Sequence, residues 1–248
     1  MGLGLTPDTR FFRLSLLILA LFLPAACATS PDTHDPFEPV NRAVFQFNTA
    51  VDDALLEPAA NAYTAVTPEP ARASVRNVFD NLNRPVVFAN AVLQGDIRAA
   101  SETAGSFVLD STLGLLGIIP LAKRAGITQH AEDFGQTLAV WGVPEGPYLM
   151  LPILGPSSVR DGTGRFVDRY PHPFNWNEEF SGSGEAWTLR ALNGIDQRAR
   201  AQSVMDTLDR TAIDPYVQVR SAWRQNRRNA VSNGETRSDD YEDLPDFD

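Results

Sequence analysis

Apolar residues recur at spacings of three and four along most of the chain, which is the period of an amphipathic helix. One such stripe predicts a first helix over residues 38–56, and its members are Val40, Val44, Phe47, Val51 and Leu55. The same period predicts further helices over 70–93, with a break at Pro85, and over 97–109, 132–141, 185–209 and 213–230. Strand signals are few, so the predicted fold class is mainly α. The residues expected to cap helices are Asp96, Ser157 or Ser158, and Asp214.

The first helix is open to two interpretations. A single apolar stripe usually packs against a protein core. Phe45, however, lies off this stripe, and a second aromatic face would also suit a helix that lies in a membrane interface. The pattern alone favours packing against a core.

Glycine, proline and apolar residues dominate positions 105–164. Residues 114–122 read GLLGIIPLA, and residues 146–157 read GPYLMLPILGPS. These runs are too broken to cross a bilayer, since a helical span needs about 20 apolar residues. Glycine permits close approach of backbones, and proline ends helices. The stretch predicts either a core of short, tight elements or an amphipathic piece that lies in lipid.

The first 26 residues have the pattern of a secretory signal peptide. A short basic region precedes an apolar run over residues 14–23, and small residues follow as far as Cys27. A small residue directly before the sole cysteine indicates lipoprotein processing, which would make Cys27 the acylated first residue of the mature chain. The usual pattern has an aliphatic residue where this chain has Pro24. Cleavage after Ala26 or Ala28 by the ordinary signal peptidase is therefore the alternative.

The net charge of −10 is concentrated towards the C-terminus. Residues 231–248 contain seven acidic residues and one arginine, without an apolar period, and this composition predicts a disordered acidic tail. Residues 27–36 are predicted to be a lipidated N-terminus and polar linker, and residues 37–230 a single helical domain. An acidic chain without a basic stripe is a poor binder of nucleic acid, so no nucleic-acid partner is expected.

Sequence motifs of common catalytic sites are missing. The patterns GxSxG, GxxxxGK and HExxH do not occur. His130 lies close to Glu132 and Asp133, but this spacing on one short segment is a weak metal pattern. The sequence therefore predicts no enzyme activity, no cofactor and no metal.

Ordered motifs run through residues 34–230. They are DPFE at 35–38, FQFN at 45–48, NVFDNL at 77–82, LQG at 93–95, FGQTL at 134–138, WGV at 141–143, GPY at 146–148, RD at 160–161 and DPY at 214–216. In this set and order the chain resembles the MlaA (VacJ) family of outer-membrane lipoproteins. It departs from the family's usual residues at Pro120, where Asp is common, and at Ala139, where Gly is common.

The resemblance implies a ring-like arrangement of amphipathic and short membrane-embedded helices, without a complete transmembrane span in the mature chain. It places the protein in the periplasmic leaflet of the outer membrane, held by its lipid anchor. The implied function is removal of mislocalised phospholipids from the outer leaflet through an amphipathic channel. The implied partners are phospholipid, a trimeric outer-membrane porin and a periplasmic lipid carrier protein.

Two groups of residues are expected to lie along the lipid path if the resemblance holds. Gly114, Leu115, Leu116 and Gly117 are expected to form a hairpin beside the channel, and Phe45, Phe47 and Asn48 to lie near the moving lipid. The alternative is that these residues only pack the ring. Two other functions also remain open, namely a structural lipoprotein or porin-associated scaffold that moves no lipid, and a lipid-modifying enzyme.

Overall fold

A computed structural model describes residues 35–233, and most of them are helical, as the sequence predicts. The predicted signal peptide, Cys27 and nearly all of the acidic tail lie outside these residues. Among the helices of the described part, none has both the length and the apolar character needed to cross a membrane.

The chain begins with a long helical segment. Helix α1 spans Glu38–Val51 and continues through one π-helical turn, Asp52–Leu56, into α2, Glu57–Val66. The predicted first helix is confirmed, but the helical chain runs ten residues past its predicted end. Both carboxylate oxygens of Asp52 accept hydrogen bonds from Arg198 Nε at 2.7 and 2.8 Å, which ties the π-helical turn to a distant helix.

Helix α3 spans Glu69–Gln94, and helix α4 spans Ile97–Thr112. The turn between them has Gly95 in the left-handed region at φ 77°, followed by Asp96, whose carboxylate accepts a hydrogen bond from Ala99 N at 2.8 Å. The predicted cap at Asp96 is therefore confirmed.

The predicted break at Pro85 is wrong, because α3 continues through it. Proline removes one backbone donor and normally kinks a helix. Here the residues that follow it, Val86 and Val87, are buried, and Ala91 packs with Ala99 of α4 in a small apolar cluster. Packing on the C-terminal side of the proline holds the helix together.

Short elements fill the middle of the chain. Helix α5 spans Leu121–Arg124 and α6 spans Phe134–Val140. Strands β1, Tyr148–Leu151, and β2, Gly155–Ser158, pair antiparallel as one hairpin, with Met150 opposite Pro156. Helix α7, Val159–Val167, follows directly, and the hydroxyl of Ser158 caps it by accepting from Asp161 N at 3.1 Å.

The C-terminal part consists of two long helices preceded by short turns. A 3-10 turn, Pro173–Asn175, and α8, Glu178–Ser181, lead into α9, Gly184–Thr211, and α10, Pro215–Val231. Asp214 caps α10 as predicted, since its carboxylate accepts from Val217 N at 3.2 Å.

A buried aromatic cluster joins the two ends of the described chain to the hairpin. Tyr148 and Met150 of β1 pack with Tyr216 of α10. Asn41 of α1 donates to the Tyr148 carbonyl at 3.0 Å and accepts from Met150 N at 2.8 Å. Asp35 accepts from Asn41 at 2.9 Å and from the Tyr216 hydroxyl. Residues more than 100 positions apart are thereby fixed to one another.

Candidate functional site

Polar groups occupy much of the interior, and apolar side chains cover much of the surface. Within residues 35–233, sixteen polar or charged residues are buried, against twelve hydrophobic ones. Large hydrophobic side chains are exposed at many positions, for example Ile97, Leu113, Leu116 and Ile153. Buried polar groups and extensive apolar exposure are the informative departures from ordinary burial. We call this pattern, in which polar residues outnumber hydrophobic ones in the interior and large hydrophobic side chains are exposed, the inverted distribution. A protein surrounded only by water normally buries more hydrophobic than polar residues.

Residues 113–119 form a turn between α4 and α5, which we call the apolar turn. Leu113, Leu115 and Leu116 point away from the protein and are 60–70% exposed. Leu115 and Leu116 adopt left-handed backbone angles, with φ of 53° and 60°. This conformation costs a non-glycine residue about 1–2 kcal/mol, so the turn presents its leucines against a local backbone preference.

The two glycines of the apolar turn, by contrast, face inward and are buried. A Cβ atom on Gly114 would lie 2.5 Å from the Ile119 carbonyl oxygen. One on Gly117 would lie 2.8 Å from the Asn77 carbonyl oxygen, at a φ of 98° that disfavours any side chain. Both positions therefore require glycine.

Hydrogen bonds to the buried residue Asp110 hold the apolar turn on its inner side. The Asp110 carboxylate accepts a hydrogen bond from Ala122 N at 2.9 Å and one from Arg84 at 3.2 Å. The Asp110 carbonyl oxygen accepts from Gly117 N at 2.9 Å. These bonds satisfy backbone groups of the turn and of the start of α5 within the protein. The structure thus forms a compact turn at the predicted hairpin, while its position beside a channel stays a prediction.

The three candidate residues on α1 have different surroundings. Phe45 packs against the buried aromatic cluster, with its ring edge-on to Tyr216 at 5.8 Å. Phe47 is 50% exposed. Asn48 donates to the Leu151 carbonyl at 2.9 Å and accepts from Ile153 N at 2.7 Å, so it holds the turn of the hairpin. Of the three, Phe47 presents the most open apolar surface, and the role of all three in a lipid path stays a prediction.

Acidic groups with metal-like spacing already have protein partners. His130 Nε2 lies 2.6 Å from Glu102, Glu132 accepts from Gln94, and Asp133 accepts from Arg227. A second cluster joins the carboxylates of Asp52, Asp53 and Glu57 within 4.8 Å, and Arg198 lies against two of them. Arg198 thus already supplies positive charge beside this second cluster.

A separate cleft of roughly 320 Å³ lies where α3, the end of α7, the 3-10 turn and α9 meet. Three arginines line it, Arg165, Arg169 and Arg190, together with Asp168 and His172. We call it the arginine cleft. Its remaining lining residues are Asn83, Phe174, Asn175 and Asn193.

The three arginines have no carboxylate oxygen within 4.0 Å among the described residues. Most other arginines between residues 35 and 233 do form such ion pairs, as Arg227 and Arg42 illustrate. Arg165 donates to the Leu154 and Pro156 carbonyls at 3.2 and 3.0 Å instead. Arginines therefore outnumber carboxylates by three to one in the lining of the cleft, and none of the three has an ion pair within 4.0 Å in the described chain.

Sequence reasoning missed this cleft. Its arginines are dispersed over three segments of the chain, so no local motif marks them. The sequence contains only a weak indication of this cleft. Within residues 165–176, the aromatic residues Phe166, Tyr170 and Trp176 each directly follow a polar residue that lines the cleft.

Comparison with known proteins gives consistent matches over nearly the whole described chain. The model of the MlaA lipoprotein family matches residues 33–230. The intermembrane phospholipid transport system lipoprotein MlaA of Escherichia coli is 36% identical over 230 residues, covering 90% of this chain and 89% of that protein. The protein of the same name from Haemophilus influenzae is 32% identical over 243 residues, covering 94% and 95%.

A solved structure from work on the structural basis for maintenance of bacterial outer membrane lipid asymmetry has a similar fold. It superimposes with a TM-score of 0.69 at 33% identity, over 79% of this chain and 98% of its own. Family model, relatives and fold agree with one another, and the chain belongs to the MlaA lipoprotein family.

Proposed function

We propose that this protein removes mislocalised phospholipids from the outer leaflet of the outer membrane through an amphipathic channel. It would pass them to a periplasmic lipid carrier protein and so maintain lipid asymmetry. Family membership supports a general role in intermembrane phospholipid transport. The channel and the transfer to a carrier are the further steps of the proposal.

The inverted distribution of polar and apolar residues is the observation that carries this proposal. A phospholipid has a charged headgroup and two apolar chains, so a path for it needs both kinds of surface. Exposed leucines and aromatic residues provide contact with hydrocarbon, whereas buried Asp, Asn and Arg residues give the interior a polar character. Short helices and glycine-containing turns suit a protein that lies within one leaflet.

The proposed location is the periplasmic leaflet of the outer membrane. Acylation of Cys27 would anchor the chain there, because two or more acyl chains hold a protein far more firmly than one. A porin trimer is the proposed membrane partner, since a protein that spans only one leaflet needs a neighbour that reaches the other. Nothing in the family's role calls for a catalytic residue, and none is proposed.

The contacts refine the roles proposed for the residues along the lipid path. Leu115, Leu116 and Phe47 would contact lipid directly, since their side chains are open to the surroundings. Gly114 and Gly117 would shape the apolar turn, and Asn48 would hold the turn of the β-hairpin. Phe45 would support this surface from within the aromatic cluster.

The proposal is tested by deleting the gene and measuring the phospholipid exposed on the outer surface of the cell. Complementation compares wild type with Cys27→Ala at equal protein levels. A rise in exposed phospholipid that only the wild type reverses supports a lipidated transport protein. If both reverse it, the helical domain holds itself in the membrane without acyl chains. Unchanged lipid exposure after deletion would instead favour a structural lipoprotein or porin-associated scaffold.

A further inference from the structure

We propose that the arginine cleft binds the phosphate group of a phospholipid headgroup and prefers anionic to zwitterionic headgroups. This inference rests on the proposed function in lipid transport and identifies a headgroup site for it. The shared chemistry is a tetrahedral phosphate oxyanion, which both lipids and free phosphate carry. Three features of the cleft favour a bound oxyanion, and a fourth favours the lipid as its source.

The charge of the cleft is the first feature. Three arginines line the cleft with one carboxylate residue, Asp168, and the charges of Asp133 and Asp161 also act on Arg165. Asp168 is already occupied, because it accepts hydrogen bonds from Asn90 Nδ2 at 2.8 Å and from Phe134 N at 3.0 Å. It forms no ion pair with an arginine in the described chain. An anion from outside would therefore supply the missing negative charge.

Unused hydrogen-bond donors are the second feature. A guanidinium has five N–H donors and matches phosphate oxygens in a two-pronged geometry. Arg165 uses its two terminal nitrogens on backbone carbonyls, and Arg190 donates to the Ser181 carbonyl at 2.8 Å and to Asn175 at 3.3 Å. Arg169 has no side-chain hydrogen bond within residues 35–233, and neither does Asn193. Several donors are thus available to one ligand.

The electrostatic state of the cleft is the third feature. Burial, followed by the charge of Arg190, lowers the pKa of His172 below its ordinary value. Burial also lowers the pKa of Arg165. Burial therefore disfavours positive charge in the cleft, and a bound anion would relieve that cost.

An aromatic rim is the fourth feature, and it favours a lipid over a soluble anion. Four exposed aromatic side chains flank the cleft in sequence, namely Phe166, Tyr170, Trp176 and Trp187, with exposures of 60–71%. The Arg190 guanidinium lies 5.3 Å from the centre of the Trp187 ring. Tryptophan and tyrosine concentrate at the boundary between headgroups and hydrocarbon. A lipid whose phosphate enters the cleft could lay its acyl chains against this rim.

The test measures binding of defined probes to the full mature protein in a neutral detergent. The probes are dihexanoylphosphatidylglycerol, dihexanoylphosphatidylcholine and inorganic phosphate. Tryptophan fluorescence reports binding, since two of the four tryptophans of the chain flank the cleft. We expect phosphatidylglycerol to bind more tightly than phosphatidylcholine, and both more tightly than inorganic phosphate.

The critical variant replaces the three cleft arginines with glutamine, Arg165→Gln, Arg169→Gln and Arg190→Gln. It should weaken phosphatidylglycerol binding at least about tenfold, because charged hydrogen bonds contribute strongly to binding. The matched control changes Arg124, Arg210 and Arg228 to glutamine. These residues also lack a carboxylate within 4.0 Å in the described chain and do not line the cleft. The control should bind within about twofold of wild type.

A second variant guards against loss of folding. Arg169→Glu leaves the backbone contacts of Arg165 and Arg190 intact, so its thermal unfolding should match that of the wild type while lipid binding falls. Equal losses in the cleft and control variants would overturn the proposal, as would equal affinity for the two lipids. If inorganic phosphate binds as tightly as phosphatidylglycerol and loses affinity in the same variant, free phosphate is the ligand and the lipid assignment fails.

A cellular experiment separates failure of this inference from failure of the proposed function. The deletion strain is complemented with wild type or with the triple cleft variant. Restoration of lipid asymmetry by both would overturn the cleft proposal and leave the transport function standing. Restoration by wild type alone supports both. If wild type itself has no effect on surface phospholipid, the transport function fails, while the binding measurements still decide whether the cleft holds an anion.

Discussion

Arg227 donates two hydrogen bonds to Asp133, at 2.6 and 2.7 Å, and a third to Asp161 at 2.9 Å. Asp133 caps α6, Asp161 lies in the first turn of α7, and Arg227 belongs to α10. Burial alone would raise the pKa of Asp133, but the hydrogen bonds and charge of Arg227 lower it below the ordinary value. One guanidinium group therefore fixes three helices to one another.

Replacement of Arg227 by glutamine should destabilise the protein by about 3 kcal/mol, because it removes the ion pair with Asp133 and one of the two ion pairs of the buried Asp161, which keeps Arg160. Arg228→Gln is the matched control, since it removes the same charge from an exposed neighbour, and it should change the free energy of unfolding by less than about 0.5 kcal/mol. Denaturant titration in detergent measures both. Similar losses in the two variants would mean that net charge, and not the pairing with Asp133 and Asp161, sets the stability.

The contact between α6 and α7 gives a second prediction. A Cβ atom at Gly164 would lie 2.8 Å from the Gly135 Cα atom, backbone against backbone, whereas one at Gly162 would meet only the Ser157 hydroxyl at 3.7 Å. Gly164→Ala should therefore destabilise the protein by about 2 kcal/mol. Gly162→Ala should leave stability unchanged or raise it by up to about 1 kcal/mol, since alanine favours a helix. Thermal unfolding compares these two variants of the same helix, and an equal effect would contradict the close packing.

The apolar turn should contact lipid through Leu116. Leu116→Glu should reduce association of the unacylated Cys27→Ala protein with vesicles at least about tenfold, because a charged side chain is costly in hydrocarbon. Its fold should persist, since the side chain is exposed. Leu116→Met is the control and should retain binding. Vesicle flotation measures association, and circular dichroism verifies the helical content. Unchanged flotation of Leu116→Glu would place the turn outside the bilayer.

His172 should make stability depend on pH. Because burial and Arg190 lower its pKa below 6.5, the folded state binds fewer protons there than the unfolded state. Its contribution is complete above about pH 6.5 and is lost as the pH falls through that value towards the folded pKa. Asp168, whose pKa burial raises, contributes with the opposite sign.

The measurement compares the free energy of unfolding of wild type and His172→Gln over this range. The wild type should lose more stability on acidification than the variant. His130→Gln removes a histidine that is bonded to Glu102 instead, and it should retain the steeper loss. Identical pH profiles for wild type and His172→Gln would contradict this prediction.

Helices and their caps were the most predictable features, because both depend mainly on residues that are close together in the sequence. The period of three and four located the long helices, and side-chain oxygens at Asp96, Ser158 and Asp214 marked three helix starts. The break predicted at Pro85 was wrong because proline disfavours a helix locally, whereas here buried residues on its C-terminal side hold the helix by tertiary packing. The extension of the first helical segment to Val66 was missed for a similar reason, since Arg198 of α9 holds its π-helical turn.

The candidate sites were less predictable because they join distant parts of the chain. Exposed leucines between Gly114 and Gly117 could be anticipated from a run of apolar and glycine residues. Arg165 and Arg190, in contrast, belong to different helices, and no spacing in the sequence shows that they share a cleft. Asn48 was predicted to lie near the lipid path, and its bonds to the hairpin turn were not predicted, because they depend on a contact across more than 100 positions.

The inverted distribution also determines which substitutions the chain can accept. In a soluble domain, surface positions tolerate polar changes and interior positions tolerate apolar ones. Here Leu113 and Ile97 should accept other aliphatic residues but reject charge. Asn41 and Asp110, which are buried and fully engaged in hydrogen bonds, should reject aliphatic residues of nearly equal size. Saturation mutagenesis of this protein should therefore show a tolerance opposite to that of a water-soluble helical domain. Many exposed positions should require apolar residues, and many buried positions should require polar ones.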